Sequence, residues 1–320
     1  MFKPALLRAA AAGLLVAACL FSGVSSPNAQ TLTLVQTVRA ALNRQDFVEA
    51  ERVLADAKAR AGITPEWLEA HSWLGRGALA ARQYDRAEAY ATQTYALVQD
   101  ALKTRPVDQE PHLPIALGAA IEVQGNAAAA AGARSEGVAY LNQEFAKYKT
   151  TSIAKRIQKN LNVLTLEGTV APPLDRSEGF GARRLQLTDV KGKVAIVFFW
   201  AHWCPDCKKQ APILSALLDK YRGQDLTIVA PTQRYGYVAG GKTAGAEEEN
   251  KYIASIRDTY YSFLPDDAVT ISEANHVRYG VSTTPTLVVL DREGIVRSYH
   301  PGNMTAEELD ALIVKYLNAR

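Results

Sequence analysis

From residue 30 to about residue 166, apolar positions recur at helical spacing. The segment is rich in Ala, Leu, Glu and Arg and nearly free of β-branched alternation, which predicts helix throughout. The pattern also repeats. DFVEAERV (46–53) matches QYDRAEAY (83–90) at an offset of 37, and LGAAIEVQGNAAAA (117–130) echoes LGRGALAARQYDRA (74–87) more loosely. Small residues at Ala41, Ala50, Gly75, Ala78 and Ala87 let paired helices approach closely, while Phe47 and Tyr84 fill the space between hairpins. Three hairpins and a capping helix at 152–163 meet the minimum for a stable stack, with an irregular helical bundle as the alternative.

A Pro/Gly-rich piece, EGTVAPPLDRSEGFG (167–181), ends this texture and reads as a linker. Beyond it, short apolar runs alternate with helical ones. Strands are expected at VAIVFFW (194–200), LTIVA (226–230), TLVVL (286–290) and IVRSY (295–299), and helices at 205–221 and 305–317. Strands of this length alternating with helices predict an α/β sheet. The chain thus divides into an N-terminal segment 1–29, an all-α repeat domain 30–166 and an α/β domain 167–320.

The first segment has its own signature. MFKPALLR carries Lys3 and Arg8, and residues 9–21 then run apolar for 13 positions. That is the positive head and short apolar core of an export signal, too short to span a bilayer. Two processing routes stand open. Val16-Ala17-Ala18-Cys19 resembles a lipobox that would leave a lipid anchor on Cys19, whereas SPNAQ offers ordinary cleavage after Ala29, with Pro27 where a small residue is preferred. Composition adds little beyond this: 48% hydrophobic, 22% charged, net charge +3, and no dense Lys/Arg run to favour nucleic acid.

With Cys19 set apart, Cys204 and Cys207 are the remaining cysteines. One CxxC in an exported chain is no disulfide framework, so the thiols read as working groups. They stand where a buried strand becomes a helix. There the orphan N–H groups of the first turn and the helix dipole favour a thiolate at Cys204, with Cys207 on the same helix face as the resolving thiol. Pro205 suits the first turn, where its missing N–H costs nothing. Trp200 and Trp203 are expected to shield one side of the site. Zinc needs further ligands, and the chain has no second CxxC or HxxxH pair; His71, His112, His202, His276 and His300 are scattered, so no metal is expected.

These residues carry a resemblance. KGKVAIVFFWAHWCPDCKKQAPIL (191–214), together with YGVSTTPT (279–286) and the following LVVLDREG, resembles the thioredoxin superfamily in its exported TlpA/ResA branch. The likeness covers roughly residues 168–320. It implies a thioredoxin-like α/β fold, thiol–disulfide exchange at Cys204 and Cys207, and a cis bond before Pro285. It also implies substrate contact through Trp203, Thr284 and Pro285, with Gly302 in the following loop. No cofactor is implied; the implied partners are protein thiols or disulfides and a membrane thiol reductant as electron donor, in the periplasm or anchored facing it. The helical segment resembles the tetratricopeptide repeat through Leu74, Gly75, Ala78, Tyr84 and Ala87, though the family's Trp and Pro positions are mostly unfilled, and it suggests protein docking.

Departures from the thioredoxin pattern matter too. The buried Asp that many members use for proton transfer is replaced by Phe198, which leaves the proton acceptor unassigned. Glu247, Glu248 and Glu249 are candidates by location, but a solvated acidic helix face is the favoured reading. Tyr235 and Tyr237, in the inserted stretch 232–264, either line a partner-binding lip or pack that insertion onto the sheet. Members of the superfamily span roughly −270 to −120 mV, tuned by the residues between the cysteines. Asp206 stands where oxidising members often place His, and a carboxylate beside a thiolate is repulsive, partly offset by Lys208 and Lys209. The couple is therefore expected in the reducing half, with His202 the residue best placed to shift it. Two further readings stay open: a repeat-based scaffold with a vestigial redox domain, and a thiol peroxidase, whose Pro and Ser/Thr before the cysteine are missing from Phe199-Trp200-Ala201-His202.

Overall fold

The computed structural model describes residues 32–319, so the export-signal and lipid-anchor readings at 1–29 lie outside the described residues. Seven helices come first: α1 (Leu34–Asn43), α2 (Phe47–Ala61), α3 (Pro65–Ala80), α4 (Tyr84–Ala101), α5 (His112–Ala130), α6 (Arg134–Tyr148) and α7 (Ala154–Thr165). Their starts follow from capping chemistry. Thr33 and Gln36 form a reciprocal capping box, Asp46 accepts from Glu49 N at 3.0 Å, and Thr64 caps Trp67 N ahead of Pro65.

The three turns within pairs close alike. Each places one residue at positive φ (Gln45, Arg82, Gly132), and the residue after it donates back to the preceding helix: Asp46 to Ala41 at 3.0 Å, Gln83 to Ala78 at 2.9 Å, Ala133 to Ala128 at 2.9 Å. Helices α1, α3 and α5 each pack on the even-numbered helix that follows and on the next odd-numbered one. Glycine permits the closest approach. A Cβ on Gly137 would stand 2.5 Å from the Gly125 carbonyl oxygen, so α5 and α6 touch through backbone.

The second part is a four-stranded mixed sheet in the order β2-β1-β3-β4, built from β1 (Val194–Phe199), β2 (Leu226–Val229), β3 (Thr286–Leu290) and β4 (Val296–Pro301). β1 runs parallel to β2 and antiparallel to β3, and β3 pairs antiparallel with β4. The helices are α8 (Pro205–Lys220), α9 (Ala246–Tyr260), α10 (Glu273–Arg278) and α11 (Ala306–Leu317). Both faces of β1 are covered, which is why its sequence is an unbroken apolar run. Ile196 and Phe198 pack with Leu214, Ile253 and Ile313 from α8, α9 and α11, while Val197 and Phe199 pack with Tyr279, Val281 and Leu166 on the other side. The fold is the thioredoxin-like α/β arrangement after an all-helical region, as the resemblance implies.

Helix α7 joins the two parts. It meets α5 and α6 on one side and α10 and β4 on the other. Gly280, at φ +61°, lies directly on it: a Cβ there would fall 2.3 Å from Lys159 N and 2.6 Å from Gln158 C. No helix among the described residues is long and apolar enough to cross a membrane.

Candidate active site

β1 ends at Phe199 and the chain turns through Trp200–Trp203 into α8, whose N-cap is Cys204. Cys204 and Cys207 are joined as a disulfide. Cys207 N donates to Cys204 Sγ at 3.0 Å, so the sulfur occupies the capping position that a Ser or Asp side chain fills elsewhere. A thiolate formed at Cys204 inherits that donor and the positive end of α8. Pro205 takes the first helical position, and Asp206, exposed in the first turn, pairs with Lys209 Nζ at 2.9 Å.

The loop before β3 closes over the pair. The Thr284–Pro285 peptide bond is cis, and the Thr284 carbonyl oxygen lies 3.4 Å from Cys204 Sγ. Gly302 N donates to Pro285 O at 2.8 Å, fastening the loop to the end of β4. Among the described residues, the N–H of Thr284 makes no hydrogen bond. Cys207 is buried and Cys204 only 2% exposed, whereas Trp203 is 44% exposed and Ser282 and Thr283 are also at the surface. The Cys204 sulfur thus sits just beneath a rim made by Trp203 on one side and residues 282–284 on the other.

Two findings differ from the sequence reading, and a third bears on a choice it left open. Trp200 does not flank the site at the surface; it is wholly buried, packs at a tilt against Tyr261 with ring centres 4.7 Å apart, and donates its Nε1–H to Ala230 O at 3.1 Å. The acidic face of α9 is only partly solvated. Glu247 and Glu248 are exposed, but Glu249 is 1% exposed and its carboxylate accepts from Tyr235 N (2.5 Å), Gly236 N (2.9 Å) and His202 Nε2 (3.1 Å). Tyr235 and Tyr237, with Tyr252, pack edge-on around the His202 ring at 5.5, 5.4 and 5.2 Å, and Tyr235 also meets Trp203 edge-on at 5.5 Å. The tyrosines therefore pack the insertion against the redox loop itself.

His202 is 1% exposed, and burial pushes its imidazole below its ordinary value, against the pull of Glu249. Sequence reasoning missed Gln210, fully buried on α8. Its amide donates to Met304 O at 3.1 Å and accepts from Met304 N at 2.9 Å, tying the loop after Gly302 to the redox helix. The only sequence signal was a polar residue on the inward face of a helix.

Comparison of the sequence with known families and curated proteins points the same way. Residues 183–317 match the family described as a thioredoxin-like domain. The thioredoxin-like protein YneN of Bacillus subtilis is 28% identical over 144 residues, which span 45% of this chain and 76% of that protein. The thiol-disulfide oxidoreductase ResA of Bacillus subtilis is 28% identical over 152 residues (48% and 74%), and that of Bacillus anthracis 27% over 135 residues (42% and 69%). Among solved structures, a putative thiol:disulfide interchange protein DsbE from Chlorobium tepidum aligns with a TM-score of 0.37 and 25% identity, over 48% of this chain and 98% of its own.

Proposed function

We propose that this chain, whose residues 183–317 match the thioredoxin-like domain family, is an exported thiol–disulfide oxidoreductase of the TlpA/ResA type that reduces protein disulfides. The observation that carries the reading is the Cys204–Cys207 pair at the start of α8, with the Thr284 carbonyl 3.4 Å from Cys204 Sγ. In the reduced protein, the Cys204 thiolate attacks a substrate disulfide, forms a mixed disulfide and releases one substrate thiolate. Cys207 then attacks Cys204 Sγ, which frees the second substrate thiolate and restores the internal disulfide. A membrane thiol reductant returns two electrons to close the cycle.

Roles follow from placement. The unpaired N–H of Thr284 is available to an extended substrate segment running past Pro285, and exposed Trp203 supplies apolar contact at the rim. Asp206 keeps the couple reducing, since its exposed pairing with Lys209 is of the kind worth at most about 1 kcal/mol. The helical stack, with its repeated turn, serves as a tetratricopeptide-like docking module. Export rests on Lys3, Arg8 and the apolar run 9–21.

The test is Cys207→Ser in the host compartment. A mixed disulfide between Cys204 and a protein partner is expected to accumulate, and wild type should reduce insulin with a midpoint more negative than about −180 mV. A protein that traps nothing and reduces nothing would favour the scaffold reading.

A further inference from the structure

A carboxylate and an imidazole, Glu249 and His202, are buried together beside the redox loop. Replacing such a pair by apolar groups of similar shape is often neutral or stabilising, because desolvation cancels most of the attraction. Here the arrangement carries a further cost. With Nε2–H donating to Glu249, the other ring nitrogen of His202, Nδ1, is a buried acceptor that has no partner among the described residues. An unsatisfied buried group of this kind calls for an explanation. It lies two residues before Cys204, in the turn whose Ala201 carbonyl accepts from Cys204 N at 3.1 Å.

Glu249 does three things at once. Its two backbone acceptances fix the turn at Tyr235–Gly236, where Gly236 has φ +82°; through Tyr235 it sets the face presented to Trp203; and through His202 it holds the loop that ends at Cys204. Three N–H donors on one carboxylate is the arrangement of the anion, which only accepts. The groups facing His202 are few: Glu249 and Tyr252 from α9, Tyr235 and Tyr237 from the preceding segment, and the more distant cation of Lys208 from α8. Glu249 is thus the one anion among them in the oxidised protein, and the Cys204 thiolate adds a second charge on reduction.

Building on the oxidoreductase reading, we propose that Glu249 and His202 are a positioning pair that sets the reactivity of Cys204 by answering its charge: when a dithiol reduces the Cys204–Cys207 disulfide, one of its protons goes to Cys207 and the other to His202 Nδ1. The bookkeeping closes. The donor dithiol becomes a disulfide, the protein S–S bond takes up two electrons, Cys207 leaves as thiol, and Cys204 stays as thiolate two residues from an imidazolium held by Glu249. The orphan acceptor of the oxidised state is the seat left for that proton.

The test uses the full chain with Glu249→Gln, which removes the anion, and His202→Phe, which keeps a ring in the tyrosine cage and removes both nitrogens. Two readouts are needed: the pH profile of Cys204 alkylation by iodoacetamide in the reduced protein, and the thiol–disulfide equilibrium constant against glutathione. Both variants are expected to move the alkylation midpoint up by about one pH unit. They should also favour the protein disulfide about tenfold, about 30 mV for this couple, and the double variant should match the singles. Profiles and equilibrium constants within twofold of wild type, whatever happens to stability, overturn the proposal. If His202→Phe fails to fold, Glu249→Gln decides alone. A wild-type protein without low-midpoint alkylation at Cys204 or exchange with glutathione removes the oxidoreductase reading and this inference together.

Discussion

Replacing Gly280 by alanine tests whether α7 seats the loop that closes over the redox pair. The added Cβ would stand 2.3 Å from Lys159 N, 2.6 Å from Gln158 C and 2.7 Å from Lys159 Cα, all backbone atoms of one helix, so no flexible side chain can yield. Forced overpacking of this kind costs about 1–3 kcal/mol. The left-handed conformation at φ +61° adds about 1–2 kcal/mol for any residue with a Cβ. The expected loss is roughly 2–5 kcal/mol by urea unfolding. Gly240→Ala separates the two contributions, because Gly240 has φ +68° and ψ 13° and nothing within 4 Å of its would-be Cβ. That variant should lose only the conformational part. If Gly280→Ala costs no more than Gly240→Ala, the α7–Gly280 contact does not exist in solution and the reasoning fails.

Three further outcomes are expected. His276 is fully buried, and burial pushes its imidazole down to about 3, while the unfolded chain takes up the same proton near 6.5. Its contribution is complete above the unfolded value and is lost as pH falls from there toward 3, at about 1.4 kcal/mol per unit; His276→Leu should lose about 2 kcal/mol less than wild type between pH 6.5 and 5 in urea titrations. Glu122→Gln leaves Arg156 and Lys159, both largely buried and now 2.9 Å from its carboxylate, without their counter-charge, and should cost about 3–5 kcal/mol in thermal unfolding. Gln210→Leu strips Met304 N and O of their partners inside the core and should cost roughly 2–5 kcal/mol, with faster hydrogen exchange at Met304.

What could be read from the sequence was whatever local chemistry dictates. The uninterrupted VAIVFF run announces a strand covered on both faces, and a cysteine before Pro205 announces a helix start, so the redox pair was placed correctly with respect to its elements. The helical hairpins showed through because their turns recur, down to a residue at positive φ in each. Long-range burial was not legible. Glu247, Glu248 and Glu249 look alike in sequence; only the turn at Tyr235–Gly236, folding back on the first turn of α9, makes the third a buried acceptor. Trp200 and Trp203 appear as symmetric flanks, yet Trp200 continues the inward alternation of Ile196 and Phe198 and ends in the core. Gly280 looked like part of a loop signature, and its tight contact is with a helix from the other end of the chain.

The joint at α7 also decides which forces couple the helical stack to the redox loop. Charge is a weak candidate. Lys155 reaches Glu273 at 2.8 Å, but the carboxylate end is largely in solvent, so the pair is worth at most about 1 kcal/mol and is screened by salt. The stronger ionic group, Glu122 with Arg156 and Lys159, lies between α5 and α7 and so binds α7 to the stack, not to the sheet. What remains on the sheet side is packing: Leu166, the C-cap of α7, in the apolar cluster with Phe199 and Tyr279, and backbone against backbone at Gly280, four residues before Thr284. A steric seat transmits position without depending on ionic strength. Rigid placement of the Thr284 carbonyl over Cys204 should therefore persist in high salt, with Cys204 alkylation rates unchanged there in wild type but altered in Gly280→Ala; a wild-type rate that climbs with salt would assign the seat to charge instead.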